Sequence, residues 1–358
     1  AVFLIEAGIP SGLKFSNVFS VGNSAQVGVE EVLEYMDLTH DPDKDSCIKL
    51  LYLESVTNPK KLLKHASSLI RKGVQIAAIK AGSTVAGSRA AASHTGAMTN
   101  SDMVVRALFR KAGIVYCSSR EELLSVASVF HYKELKGKNI AVITHAGGSA
   151  VMLTDALSLG GLEVPAIEGQ DAEKLLANLH PGSSVSNPID FLATGTAEQL
   201  GMIIDYCENT FNQIDAMVVV FGSPGLFDVA NVYAVISEKL KVCSKPIYPV
   251  LPSVINAQKE IREFLSTGHV NFPDEVELGR ALVAIHKTPA PQEIFQPVVT
   301  IDTARIREVV DSANDGFQAP AEVEALLDAS GVPRVSEIVV TEHSELEATR
   351  HEISFPVV

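Results

Sequence analysis

Tryptophan is absent from this 358-residue chain, aromatic residues make up only 6% of it, and there are just four cysteines. Cys47, Cys117, Cys207 and Cys243 stand 70, 90 and 36 residues apart. Those gaps match neither a zinc site nor a small disulfide scaffold, so the expectation is buried thiols in a reducing cytosol. No apolar run approaches the ~20 residues that a membrane-spanning helix needs. Ala1 opens into a short apolar segment without a basic flank, which reads as no secretory signal. Basic residues are also scarce: 29 Lys+Arg against 43 Asp+Glu leave a formal charge of −14. Such a balance, without a basic stripe, argues against nucleic acid or an anionic membrane as the main partner. Apolar residues, by contrast, are plentiful. With 46% hydrophobic and 20% charged residues, general disorder is excluded. At ~100–200 residues per domain, the length gives two or three domains. The missing initiator Met suggests a piece of something longer.

The pattern along the chain alternates strands and helices. Strands are expected at 18–21, 48–53, 74–79 and 114–116, and helices at 27–36, 59–71, 101–112 and 120–130. The same grammar then repeats. Strands at 140–144, 216–221, 246–251 and 269–271 alternate with helices at 147–159, 172–179, 229–240, 254–265 and 275–286. Strands that are apolar throughout, each followed by a helix, indicate parallel sheets covered on both faces. The fold class is therefore α/β: two doubly wound parallel-sheet domains, 1–136 and 137–287. A linker at 288–302 carries Pro289, Pro291 and Pro297. A further unit at 303–358 reads as helices 303–312 and 320–329, a strand at 337–340, a helix from Ser344 and a last apolar strand at 355–358. A strand at the very end, without a sheet of its own, suggests truncation inside a third domain.

Six places are candidates for chemistry. His94 lies in a segment of small residues, 88–96, between a strand and a helix, flanked by Ser93, Thr95 and Gly96. Loops at the carboxyl ends of parallel strands are where ligands bind in such sheets. A neutral imidazole is a nucleophile near pH 7, and a following glycine lets an anion approach the backbone; the alternative is a structural loop histidine. Two strand-to-helix turns, Gly22-Asn23-Ser24 and Gly147-Gly148-Ser149, would aim backbone N–H groups and a helix dipole at an anion. Glycine at such turns also serves geometry alone. A Cβ added at Gly148 is expected to crowd the anion. Neither turn is a Walker A loop or a dinucleotide fingerprint. Glu54, at the end of the strand at 48–53, is placed to fix the tautomer of an imidazole, or is an ordinary solvated strand end. Asn187-Pro188-Ile189-Asp190 is a turn first and a ligand contact second. His145 either touches the anion of the second glycine turn or merely ends its strand. No metal-ligand spacing is present.

Taken together and in this order, these pieces resemble the NDP-forming acyl-CoA synthetases, the superfamily of succinyl-CoA synthetase and ADP-forming acetyl-CoA synthetase. The most specific motif is KAGSTVAGSRAAASHTGAM at 80–98, which looks like the phosphohistidine loop. VGNSAQV (21–27) and THAGGSAVM (144–152) look like the two helix starts that hold the phosphorylated histidine. YLES (52–55) looks like the strand bearing the paired carboxylate, and SNPIDF (186–191) like the turn of the second domain. Residues 321–340 and 353–358 look like the opening of an ATP-grasp domain. The resemblance implies succinyl-CoA-ligase-like flavodoxin folds for both sheet domains and a relay through phosphorylated His94, paired with Glu54. It also implies use of CoA and of ATP or ADP with Mg, none of them held tightly by this fragment. The implied partners are acyl phosphate or acyl-CoA, nucleotide, CoA-binding and ATP-grasp parts on the same or another chain, and a second copy in a homo-oligomer. The implied location is the cytoplasm. His145 stands where many members have Asn. A non-catalytic acyl-CoA sensor, a protein-acetyltransferase-associated homologue and a docking fragment are the competing readings. An intact His94 favours the enzyme.

Overall fold

The computed structural model describes residues 2–22, 26–95, 101–223, 225, 229–293, 301–335, 338 and 340–349, with the side chains of 91–95 and 346 excepted. Two compact units divide between Gln292 and Glu293.

The first unit opens with α1 (Val2–Gly8) and a 3-10 turn, Ile9–Ser11. Then follow α2 (Val29–Leu38), β1 (Ile48–Leu53), α3 (Pro59–Arg71), β2 (Gln75–Lys80) and α4 (Val85–Thr95). Next come α5 (Asp102–Ala112), β3 (Val115–Cys117) and α6 (Arg120–Phe130). β1, β2 and β3 form a parallel sheet in that order, with Leu53 opposite Lys80 and Ile79 opposite Cys117. The helix boundaries have local causes. Asn58 caps α3 by accepting from the Lys61 amide at 3.0 Å, with Pro59 in the first turn. Ser119 caps α6 through the Glu122 amide at 3.1 Å. Gly113 ends α5 with φ +81, a left-handed angle that costs glycine nothing.

The second half of this unit runs β4 (Ile140–Thr144), α7 (Gly147–Leu159), α8 (Gln170–Leu176), β5 (Ile189–Asp190), α9 (Ala197–Asn209) and β6 (Ala216–Val220). It closes with α10 (Ala230–Val242), β7 (Ile247–Val250), α11 (Gln258–Ser266) and α12 (Glu275–His286). The sheet order is β5-β4-β6-β7, all parallel.

Strand parity explains how the two sheets pack. Ile76 and Ala78 face a core made with Leu33 of α2, Leu62 of α3 and Phe109 of α5. Their neighbours Ala77 and Ile79 face the other way, into a layer built by Leu123 and Val126 of α6, Leu153 of α7 and Leu278 of α12. Ile140, Val142 and Val218 enter that same layer from the second sheet. Ala141, Ile143 and Val219 point to a third core with α8 to α11. The two sheets therefore share one helical layer, and each buries a separate core on its other face. Gly160, just past α7, lies in this layer; a Cβ there would meet Val283 Cγ2 at 2.0 Å. Gly160→Ala is thus expected to destabilise by about 1–3 kcal/mol through overpacking, read as a lower urea midpoint. An unchanged midpoint would mean that α12 yields without cost.

The seam between α2 and α3 holds a buried polar cluster. Asp37 accepts from Ser68 Oγ at 2.7 Å and Lys72 Nζ at 2.7 Å, and lies 2.8 Å from His65 Nδ1. Burial pushes the Asp37 carboxyl up, but the bonds from Lys72, Ser68 and His65 outweigh it and hold it below the ordinary carboxylate range. The folded pKa is therefore below the unfolded ~3.9, so this stabilisation is complete above that value and lost as pH falls through the folded pKa. The urea midpoint should drop as pH falls below about 4, and the drop should shrink in Asp37→Asn, which also costs about 2 kcal/mol near neutrality. An equal acid-induced drop in the variant would place the sensitivity elsewhere.

Several sequence expectations are corrected. Residues 18–21 form no strand, because no partner strand lies beside them among the described residues. Residues 88–95 of the small-residue segment lie in helix α4 rather than a loop, as their alanines favour. Residues 254–257 are a turn ahead of α11. The expected strand at 269–271 is a single bridge between Val250 and Phe272. Cys117, Cys207 and Cys243 are buried, as expected, whereas Cys47 is exposed.

In the second unit, α13 (Thr303–Ser312) packs on α14 (Pro320–Ala329), and α15 (His343–Thr349) follows. Asp302 caps α13 through the Arg305 amide at 2.9 Å. Arg334 makes a two-point bond to Asp328 at 2.8 and 2.9 Å. Glu337, Val339 and the apolar 355–358 lie outside the described residues.

Candidate functional site

Three of the segments singled out by sequence bear on the carboxyl edge of the first sheet, and two of them are found there. β1 ends at Leu53 and delivers Glu54, half-buried, just beyond the edge. β2 ends at Lys80, paired with Leu53, and the Ala81 amide donates to the Leu53 carbonyl at 2.8 Å. The chain leaving β2 thus starts beside Glu54 and runs directly into α4. His94 is the penultimate residue of that helix. The side chains of Ser93, His94 and Thr95, and the whole of Gly96, lie outside the described residues.

The third segment differs from expectation. Gly22 is exposed, and Asn23 and Ser24 lie outside the described residues. The helix that follows begins only at Val29, with Gly28 as its cap, so the glycine turn does not open onto a helix N-terminus. The α2 N-terminus is already occupied by its own acids. Glu31 accepts from the Gly28 amide at 2.7 Å, and the Lys61 ammonium sits 3.2 Å from its other oxygen. Glu30, 2% exposed, accepts from the Thr57 amide at 2.7 Å, the Thr57 hydroxyl at 3.2 Å and the Asn58 amide at 2.9 Å. It ties the start of α2 to the loop that carries Glu54.

On the second sheet, Gly147 and Gly148 do open a helix. Ala146 is its cap, and Thr144 Oγ1 accepts from the Ala146 amide at 2.9 Å. Gly147 and Gly148 are exposed and Ser149 is half-buried. A Cβ at Gly148 would meet nothing within 4 Å, so a side chain there projects into open space and strains no neighbour. Asp190 stands close by: a Cβ on Gly147 would lie 3.4 Å from Asp190 Oδ2. This carboxylate gives the helix start a negative neighbour. Asn187, of the same turn, is structural. Its side chain accepts from the Val142 amide at 2.9 Å and donates to the carbonyls of Ile140 at 3.0 Å and Pro165 at 2.9 Å. His145 is held by the adjacent strand end. Its Nε2 lies 2.7 Å from the Gly222 carbonyl oxygen and 3.1 Å from the Gly222 nitrogen, and its ring meets Phe221 edge-on. Its Nδ1 is buried without a hydrogen-bond partner among the described residues.

Two residues that shape this edge were given no role of their own by sequence: Glu30, and Lys80 at the head of the 80–98 motif. Both are charged and almost fully buried. The only available signal was a charge interrupting or ending an apolar pattern. Among the described residues, no cluster of three His, Cys, Asp or Glu side chains is arranged to hold a metal ion.

Comparison with known proteins adds the lineage. Residues 1–130 match the family described as succinyl-CoA ligase like flavodoxin domain. The chain is 28% identical over 354 residues to acetate–CoA ligase [ADP-forming] I of Archaeoglobus fulgidus, covering 97% of this chain and 50% of that protein. It is 34% identical over 190 residues to acetate–CoA ligase [ADP-forming] II subunit alpha of Pyrococcus furiosus, covering 53% of this chain and 40% of the relative. The chain thus spans half the length, or less, of these curated relatives. Among solved structures, the Ca. Korarchaeum cryptofilum dinucleotide forming acetyl-coenzyme A synthetase 1, in complex with phosphate and ADP, superposes with a TM-score of 0.71. That match is 23% identical and covers 80% of this chain and 61% of the other, so it speaks for the fold. Residues 1–130 are thus similar to the succinyl-CoA ligase like flavodoxin domain, and the chain is similar along nearly its whole length to an ADP-forming acetate–CoA ligase.

Proposed function

We propose that this chain is the core of an acid–thiol ligase that interconverts acyl-CoA, ADP and phosphate with carboxylic acid, ATP and CoA through a phosphohistidine. The observation that carries this reading is the shared sheet edge, where the end of β1 bearing Glu54 lies beside the end of β2 that leads into α4 and His94. In the relay, an imidazole nitrogen of His94 attacks an acyl phosphate; the N–P bond forms as the P–O bond to the acyl carboxylate breaks. The phosphoryl group then passes to ADP and the imidazole is regenerated. Glu54 accepts a hydrogen bond from the other ring nitrogen, fixing the tautomer and stabilising the charge that develops on the ring. Gly22, Asn23 and Ser24, with Ser93, Thr95 and Gly96, and Gly147, Gly148 and Ser149 supply donors for phosphoryl oxygens. The exposed start of α7, which contributes about half a unit positive charge, supports the last three in that role.

CoA and nucleotide are substrates, and Mg is assigned to the nucleotide phosphates. The domains are taken as 1–136, 137–287, a linker at 288–302 and the opening of an ATP-grasp unit at 303–358. The remaining CoA- and nucleotide-binding parts are assigned to the same or a partner chain; the relative named as a subunit alpha supports the second arrangement. No described helix is long and apolar enough to cross a membrane, and we assign the protein to the cytoplasm. The test is direct. The complete protein, given acetyl-CoA, ADP and phosphate, should form ATP and release CoA in equal amounts. CoA release without ATP would indicate a thioesterase, and neither product, across a panel of acyl groups, would favour the sensor.

A further inference from the structure

The β2–α4 turn contains a lysine to which the relay assigns no task. Lys80 ends the strand QIAAIK, whose four inner residues are apolar, and is 3% exposed. An ammonium is rarely so deeply buried unless paired, since removing it from water costs several kcal/mol. Its Nζ donates to the Gly82 carbonyl at 2.7 Å, and no carboxylate pairs with it among the described residues. The same carbonyl accepts from Ser88 Oγ at 2.9 Å. One oxygen therefore joins the last residue of the strand to the first turn of the helix. Gly82 itself has φ +71, an angle that residues with a Cβ adopt only at a cost. Within the turn, the Ser88 amide donates to the Thr84 carbonyl at 2.7 Å and the Gly87 amide to Thr84 Oγ1 at 3.0 Å. The tie from Lys80 anchors this turn to the buried sheet. A bond from an ammonium is about twice as strong as a neutral one, so Ser88 alone is a weaker anchor.

We propose that Lys80 is a positioning residue: through the Gly82 carbonyl and Ser88 it sets the direction in which α4 leaves the sheet and so places His94. The inference rests on the reading of His94 as the phosphorylated residue. The leverage is geometric. From Val85 to His94 the helix extends ~13 Å at ~1.5 Å per residue, so a pivot of ~10° at its base displaces His94 by ~2 Å. A misplacement of ~1 Å costs a phosphoryl or acyl transfer about 10²-fold. A lysine that merely finished the strand would alter stability and leave the rate alone.

The experiment compares wild type, His94→Ala, Lys80→Met, Ser88→Ala and the Lys80→Met/Ser88→Ala double variant in the complete protein. Rate and KM of phosphohistidine formation from labelled ATP are measured, together with amide exchange. Lys80→Met should slow formation about 10²-fold with KM for ATP within about twofold. Ser88→Ala should slow it about tenfold, and the double variant should be no slower than Lys80→Met, because both bonds serve one oxygen. Amides at 83–90 should exchange faster in Lys80→Met while those of β1 and β2 keep their protection. A wild-type rate in Lys80→Met, or faster exchange spread evenly across the sheet, overturns the proposal. If Lys80→Met does not fold, a wild-type rate in Ser88→Ala overturns it. Labelling of His94→Ala at the wild-type level would instead defeat the phosphohistidine reading. The exchange comparison needs no phosphate and then still decides whether Lys80 anchors α4.

Discussion

His94→Ala is expected to abolish phosphoprotein formation, a loss of at least about 10³-fold that reaches the detection limit, while the unfolding midpoint stays close to wild type. Removing the nucleophile removes the covalent route altogether, because no second group can take over the bond to phosphorus. The fold should not suffer. The last described side chains of α4, Arg89 and Ala90, are exposed. Labelling is read after incubation with acyl phosphate or labelled ATP. Retained labelling would move the nucleophile elsewhere, first to His145, whose Nδ1 lacks a partner among the described residues.

Glu54→Gln is the second large effect. The substitution keeps shape and one acceptor but removes the charge that stabilises a positively charging imidazole. Phosphoryl transfer should slow by about 10²-fold or more, the range assigned to a positioned acid–base group. Stability should change by less than about 0.5 kcal/mol, since Glu54 is half-buried and belongs to none of the cores. A pre-steady-state measurement separates this from altered binding: the burst rate should fall while the KM for ATP holds. A wild-type burst rate would remove Glu54 from the mechanism and leave it an ordinary strand end.

Much of the architecture was legible because its causes are local. Pro59–Arg71, Glu275–His286, Thr303–Ser312 and Pro320–Ala329 have the bounds expected from sequence. Each starts beside a cap or a proline and carries an apolar stripe. Ile140–Thr144 is an apolar run whose residues are all buried, as a parallel strand covered on both faces should be, whereas Ile48–Leu53, expected as a buried strand, is mostly half-buried with Tyr52 exposed. The errors have equally physical sources. The segment at 88–96 looked like a loop because serine and glycine mark turns, yet Ala86, Ala90, Ala91 and Ala92 sustain a helix. The run at 18–21 has strand propensity but no partner strand among the described residues, and pairing decides. The shared layer between the sheets could not be read at all. Parity says that Ala77 and Ile79 face one way and Ile76 and Ala78 the other, but not which helices cover each side.

The candidate site was legible in part. The placement of Glu54 at the strand end, next to the segment leading to His94, follows from two strands and their pairing. The first glycine turn misled, because Gly22 suggested a helix start that in fact falls at Gly28. The roles of Glu30 and Lys80 were invisible for a different reason. Glu30 bonds to groups brought close by the fold, on Thr57 and Asn58, while Lys80 bonds to a carbonyl only two residues on, in a turn; neither kind of bond leaves a periodic trace.

One measurement bears most directly on the central claim. The complete protein is labelled with acetyl phosphate and excess label removed. It is then digested at alkaline pH and the phosphopeptide identified by mass spectrometry, with the phosphate tested for lability in acid. The expected result is a single phosphate that survives base, is lost in acid, is discharged by ADP and lies on His94. Phosphate on another residue, an acid-stable phosphate, or a fully folded protein that takes up none would contradict the account.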